Sequence, residues 1–167
     1  IYDINRNEEQ YLQAISGKTA ELYATSCRIG GIVGGAERAV VDQLTEFGHA
    51  YGMAFQVVDD ILDLIATDEE LGKPSGNDLK EGVYTLPVIR MIASGDPIAE
   101  LLGQQLDEEV RDQARAAVIE GPEIASSIAT AQMYVDKALS ALVALPDTPA
   151  VRGMRDAATN LLSALER

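Results

Sequence analysis

The sequence predicts an all-α protein. Three observations carry that expectation: apolar residues recur at three- and four-residue spacing along most of the chain, no stretch alternates apolar and polar residues convincingly, and Ala and Leu are plentiful. At 167 residues, 47% hydrophobic and 24% charged, the chain is long enough to bury a core of its own.

The first helical stretch begins at Asn7, a capping residue followed by Glu8 and Glu9 in the first turn. Tyr11, Leu12, Ile15, Leu22, Tyr23 and Ile29 set its apolar spacing, and Gly17 marks a bend. The cluster Gly30, Gly31, Gly34 and Gly35 is expected to end it. A long helix is expected from Ala36 to Ala66. Gly48 and Gly52 lie inside it, each costing about 1 kcal/mol against Ala, which points to close approach of a second helix. Residues 67–87, TDEELGKPSGNDLKEGVYTLP, form the one substantial loop, and Pro87 is placed to open another helix. Shorter helices are expected over 86–94, 97–104, 107–119, 122–145 and 149–165, punctuated by GDP, EGPE and PDTP.

The net charge is −14 and the pI about 4.3. No basic stripe exists for nucleic acid, and no polybasic patch for an anionic membrane surface. An anionic substrate stays admissible where metal ions or a few placed lysines cancel the charge locally. Cys27 is the one cysteine, so no internal disulfide forms, and a reducing cytoplasm is the natural location. No apolar run approaches the roughly 18–20 residues of a membrane span. The chain starts IYDINRNEEQ without Met, which suits a trimmed or partial polypeptide.

The stretch QVVDDILD, residues 56–63, sets three carboxylates in an apolar run. On a helix Asp59 and Asp63 fall about 40° apart and Asp60 about 60° from Asp63, with Gln56 one turn earlier on the same stripe. Val57, Val58, Ile61, Leu62, Leu64 and Ile65 cover the other directions, so this helix should be buried. Buried carboxylates are relieved by protonation, by Lys or Arg partners, or by a hard divalent cation, and carboxylate with water and phosphate suits Mg²⁺. An ordinary exposed acidic stripe is the plain alternative. The following GKPSGND, residues 72–78, puts Lys73 among glycines and a proline, as a lid reaching a phosphate would; it lacks the spacing of a Walker loop. GKTAEL, residues 17–22, offers Lys18 beside the Thr19 hydroxyl, and on its own reads as a solvated lysine.

Together YLQAISGKTAELYATSCRIGG, GMAFQVVDDILD, LGKPSGNDLKEG and TLPVI resemble, in order and spacing, the trans-isoprenyl diphosphate synthase (polyprenyl synthetase) family over residues 8–95. The resemblance implies an all-α, isoprenoid synthase-type helical bundle around a central cavity, with residues 1–167 as the C-terminal part of that single domain. It implies a homodimeric, cytoplasmic prenyltransferase. Such an enzyme ionises an allylic diphosphate with Mg²⁺, joins the cation to isopentenyl diphosphate and releases a proton. By motif, Asp59, Asp60 and Asp63 resemble the second aspartate-rich motif that holds metal, with Asp59 the direct ligand and the other two acting partly through water. Lys18 and Lys73 match the contacts to the allylic diphosphate, and Thr19 and Gln56 match residues that steady the cation.

Two departures qualify the match. Val83 and Tyr84 stand where many relatives carry Lys, leaving Lys80 as a substitute contact from the previous turn. The first aspartate-rich motif is absent, so the fragment by itself is expected to be inactive. A non-catalytic metal- and diphosphate-binding subunit of a heteromeric synthase is the alternative; a class I terpene cyclase and a plain helical interaction domain rank below it.

Overall fold

Every regular element is helical among the residues the computed structural model describes, which are 1–67, 69, 72 and 75–165. In chain order these are α1 (Glu8–Ile15), a π-turn (Ser16–Ala20), α2 (Glu21–Val33), α3 (Arg38–Ile65), α4 (Asn77–Lys80) and α5 (Leu86–Ala93). A 3-10 turn (Pro97–Glu100), α6 (Glu108–Glu120), α7 (Glu123–Ala141), α8 (Pro149–Asn160) and a second 3-10 turn (Leu161–Leu165) follow. The all-α expectation holds. The helix expected over 97–104 shortens to a single 3-10 turn after Pro97, and α7 ends at Ala141, before the expected 145.

Asn7 caps α1 as its position predicts. Gln10 N–H donates to Asn7 Oδ1 at 2.9 Å, and Asn7 N–H donates to Gln10 Oε1 at 3.0 Å, a reciprocal capping box. Beyond Ile15 the helix widens to take in one extra residue, because Glu21 N–H reaches back five positions to Ser16 O. That extra residue changes which face is inside. Tyr11 and Ile15 are 1% and 5% exposed, and the next buried pair is Ala20 and Ala24, at 0% and 3%. Leu22 and Ile29, which an uninterrupted helix would put on the apolar face, are instead 68% and 55% exposed. The bend at Gly17 is therefore a π-turn. The glycine cluster does not end α2 at once either, since the helix passes through Gly30 and Gly31 and stops at Val33, with Gly34 as its C-cap.

The chain divides into two compact units, with α1, α3 and α7 contributing residues to both. One unit comprises Ile1–Tyr11 and Asp59–Ile128. Its buried side chains include Tyr11, Ile61, Leu64, Leu79, Tyr84 and Leu86, and α4 and α5 each pack on α6. The second takes Leu12–Val58 and the chain from Ala129 on. There Phe47 and Ala50 of α3 pack with Ala138, Leu142 and Leu145 from α7 and its end, and with Val151 and Ala158 of α8. Cys27 is half-buried against this cluster, and burial pushes its thiol pKa upward.

In the second unit α2 and α3 approach through the two glycines. A Cβ on Gly48 would stand 2.6 Å from Tyr23 O and 2.9 Å from Ala24 Cα, and one on Gly52 would stand 2.7 Å from Ala20 Cα. The expectation that these glycines admit a neighbouring helix holds, and the neighbour is α2.

Candidate functional site

The three carboxylates of α3 are held differently. Asp59 is exposed, whereas Asp60 and Asp63 are 6% and 4% exposed. Buried Tyr11 donates its hydroxyl to Asp60 Oδ2 at 2.6 Å. The Tyr11 ring is itself covered by the Arg6 guanidinium, 5.5 Å from the ring centroid, and Arg6 Nη1 donates to Tyr84 O at 3.1 Å. One oxygen of Asp60 is thus committed to a phenol that other groups fix in place.

Asp63 ties the helix to the loop beyond it. Its Oδ2 accepts from Asp78 N–H at 3.2 Å and its carbonyl accepts from Gly76 N–H at 2.7 Å. Gly76 sits at φ +67°, a left-handed conformation that glycine adopts without a Cβ clash. Arg115 closes the helix end, donating from Nε to Leu64 O at 2.5 Å and from Nη2 to Ala66 O at 2.9 Å. Cationic groups on the last carbonyls also favour the negative end of the helix dipole. Among the described residues no three carboxylate, imidazole or thiolate groups converge at metal-ligand spacing. The arrangement offers one exposed carboxylate, Asp59, backed by two buried and hydrogen-bonded ones.

In the second unit Thr19 Oγ1 donates to Gln56 Oε1 at 2.7 Å, so the two residues expected near the reacting carbon do meet. Gln56 is 9% exposed, and Lys18, its neighbour in the π-turn, is exposed. Lys80 turns toward α6, its ammonium 3.9 Å from Glu108 Oε1. Lys73 lies outside the described residues. Tyr84, one of the residues in place of the usual lysine, is structural: it is 2% exposed and its hydroxyl accepts from Gly103 N–H at 2.6 Å. Burial raises its pKa, which the Gly103 hydrogen bond lowers and the nearby Tyr2 raises further.

Sequence reasoning missed Tyr11 and Arg115. Tyr11 reaches Asp60 from 49 positions away, and Arg115 reaches Leu64 from 51, so no local spacing announces either. Tyr11 read as one more apolar position of a helix.

The described chain is thus an all-α scaffold whose longest helix, α3, carries the acidic stripe and whose π-turn carries Lys18 and Thr19. The polyprenyl synthetase family profile matches residues 2–121, and the chain belongs to that family. Among particular relatives, it is 38% identical over 159 residues to heptaprenyl diphosphate synthase component 2 of Geobacillus stearothermophilus, covering 94% of this chain and 50% of that protein. Identity to octaprenyl diphosphate synthase of Escherichia coli is 34% over 154 residues, covering 89% and 48%. The fold matches the crystal structure of heptaprenyl diphosphate synthase from Staphylococcus aureus with TM-score 0.92 and 27% identity, over 97% of this chain and 52% of that one. It matches polyprenyl synthase from Caulobacter crescentus, crystallised with calcium and isoprenyl diphosphate, with TM-score 0.91 and 32% identity, over 97% and 51%. The chain spans about half the length of the curated relatives it matches.

Proposed function

We propose that this chain is the C-terminal part of a single-domain prenyltransferase that condenses an allylic isoprenyl diphosphate with isopentenyl diphosphate. The observation that carries the reading is on α3, where exposed Asp59 follows by three positions an amide, Gln56, that accepts from Thr19. The allylic C–O bond breaks with its electron pair leaving on diphosphate, the isopentenyl double bond joins the cation, and a proton departs to restore an allylic diphosphate. Lys18 and Lys73 place positive charge on the leaving diphosphate. Thr19 and Gln56 offer dipoles but weak nucleophiles, so they steady a cation without trapping it. Lys80 would have to exchange Glu108 for phosphate, which a partly exposed pair permits at small cost.

The donor set fits Mg²⁺, a hard ion commonly held by one or two carboxylates with water and substrate phosphate as the remaining ligands. Asp59 is the direct ligand in this reading, with Asp60 and Asp63 acting through water. When bound, the ion supplies concentrated positive charge to the departing diphosphate. The calcium and isoprenyl diphosphate of the Caulobacter crescentus enzyme support this pairing of divalent cation and substrate. A homodimer in the cytoplasm completes the reading.

The intact protein, given Mg²⁺ and both diphosphates, is expected to release diphosphate, and Asp59→Ala to lower that rate by roughly 10²-fold or more. An unchanged rate in Asp59→Ala refutes the assignment. A second reading has specific support, since one relative is named as component 2 of its synthase. Here the chain would be a metal- and diphosphate-binding subunit, and turnover would appear only on adding a different polypeptide.

A further inference from the structure

The π-turn carrying Lys18 and Thr19 is closed by two residues. Ser16 supplies the carbonyl that accepts the five-residue bond, and Glu21 supplies the N–H that donates it. The side chains of these two residues also lie beside one side chain on α3. His49 Nε2 lies 3.0 Å from Ser16 Oγ and 3.8 Å from Glu21 Oε1. The imidazole therefore spans the two residues whose backbone groups define the turn. Seven positions later on the same helix, Gln56 holds Thr19 from inside the turn. The close approach at Gly48 and Gly52, next to and just beyond His49, brings α3 within reach of both.

A π-turn is an inserted residue that an α-helix would relax by slipping one position. Such a slip would rotate Lys18 and Thr19 by about 100° about the helix axis. Gly17 gives the turn no help from packing, since a Cβ there would meet nothing within 4 Å. The side-chain bonds that tie the turn to a neighbour, at Ser16 and Thr19, both come from α3.

We infer that His49 is a positioning residue: by clasping Ser16 and Glu21 it holds the π-turn in register, and so aims Lys18 and Thr19 at the allylic diphosphate. The inference rests on the proposed reading that these two residues meet that substrate. His49 does not touch the reacting atoms, and its effect runs through Ser16. When Nε2 is unprotonated the Ser16 hydroxyl donates to it; when Nε2 carries the proton it donates to Ser16 and lies beside the Glu21 carboxylate.

Steady-state kinetics of the intact protein test this with Lys18→Ala, Ser16→Ala, His49→Ala, His49→Gln and the Ser16→Ala/His49→Ala double variant. Ser16→Ala and His49→Ala are each expected to raise KM for the allylic diphosphate about fivefold, the effect of one hydrogen bond. The KM for isopentenyl diphosphate should stay within about twofold in both. The double variant should be no worse than either single one, and His49→Gln, which keeps a polar group in reach, should recover most of the loss. Amide exchange at Lys18 through Glu21 should speed up in His49→Ala. If Lys18→Ala raises KM for the allylic substrate while His49→Ala leaves both KM and exchange unchanged, the clasp is wrong and the substrate reading stands. If Lys18→Ala changes nothing, the substrate reading fails; faster exchange in His49→Ala would then still support the clasp, and unchanged exchange would overturn it.

Discussion

Gly52→Ala tests the packing that holds the Thr19–Gln56 pair. The new Cβ would stand 2.7 Å from Ala20 Cα and 3.1 Å from Tyr23 Cδ2. Carbon atoms in contact rest about 3.5–4.0 Å apart, so the Ala20 backbone must retreat by about 1 Å. Replacing glycine inside a helix returns about 1 kcal/mol of propensity, against an overpacking cost of about 1–3 kcal/mol. The retreat also carries Thr19, adjacent to Ala20, away from Gln56. Its 2.7 Å hydrogen bond stretches beyond reach, with a further loss of about 1 kcal/mol. The expected outcome is a net destabilisation of about 1–3 kcal/mol, read as a lower urea midpoint with unchanged slope. Gly153→Ala is the control, because a Cβ there meets nothing within 4 Å. It should stabilise by roughly 0.5–1 kcal/mol. If Gly52→Ala stabilises as much as Gly153→Ala, the backbone contact that explains both this glycine and the buried Ala20 face is refuted.

Tyr11→Phe removes the hydroxyl that Asp60 accepts and should cost about 1.5–3 kcal/mol of stability, measured by denaturant melts. A variant as stable as the parent would show that the phenol is not needed to hold that carboxylate. Tyr84→Phe leaves the Gly103 N–H without its acceptor and should cost about 1–3 kcal/mol at neutral pH. Because burial raises the Tyr84 pKa, the folded state keeps a proton that the unfolded chain releases. That contribution is complete below about pH 10 and is lost as pH rises through the folded value. The fall of stability in alkali should therefore be shallower in Tyr84→Phe than in the parent; identical slopes in melts at increasing pH would contradict it. Cys27, half-buried and with its pKa raised by burial, should alkylate with iodoacetamide at pH 8 more slowly than a free peptide thiol. Equal rates would place the thiol in water.

Much of α3 was legible in advance. Its expected range, Ala36 to Ala66, meets the observed Arg38–Ile65, and its inner turns are buried as the QVVDDILD pattern requires. Gly48 and Gly52 announced a close neighbour because a glycine inside a helix needs a compensating reason. What each carboxylate does was not legible. Asp59, Asp60 and Asp63 look alike in a helical projection, yet one is exposed, one accepts from Tyr11 and one anchors Gly76 and Asp78.

The sequence by itself determined the helical class, the cap at Asn7, the helix start at Pro87, and the presence of an acidic stripe on a buried helix. Those properties depend on neighbours within a turn or two, where periodicity and backbone chemistry act. Only the tertiary structure decided that Ala20 and Ala24 face inward while Leu22 and Ile29 face out. By leucine content alone the opposite face is the apolar one. The choice depends on how close two backbones can come, and Gly48 and Gly52 leave room for alanine against glycine but none for leucine. A π-turn at Ser16–Ala20 makes that choice possible, and its stabilising groups come from α3, some 30 residues further along the chain.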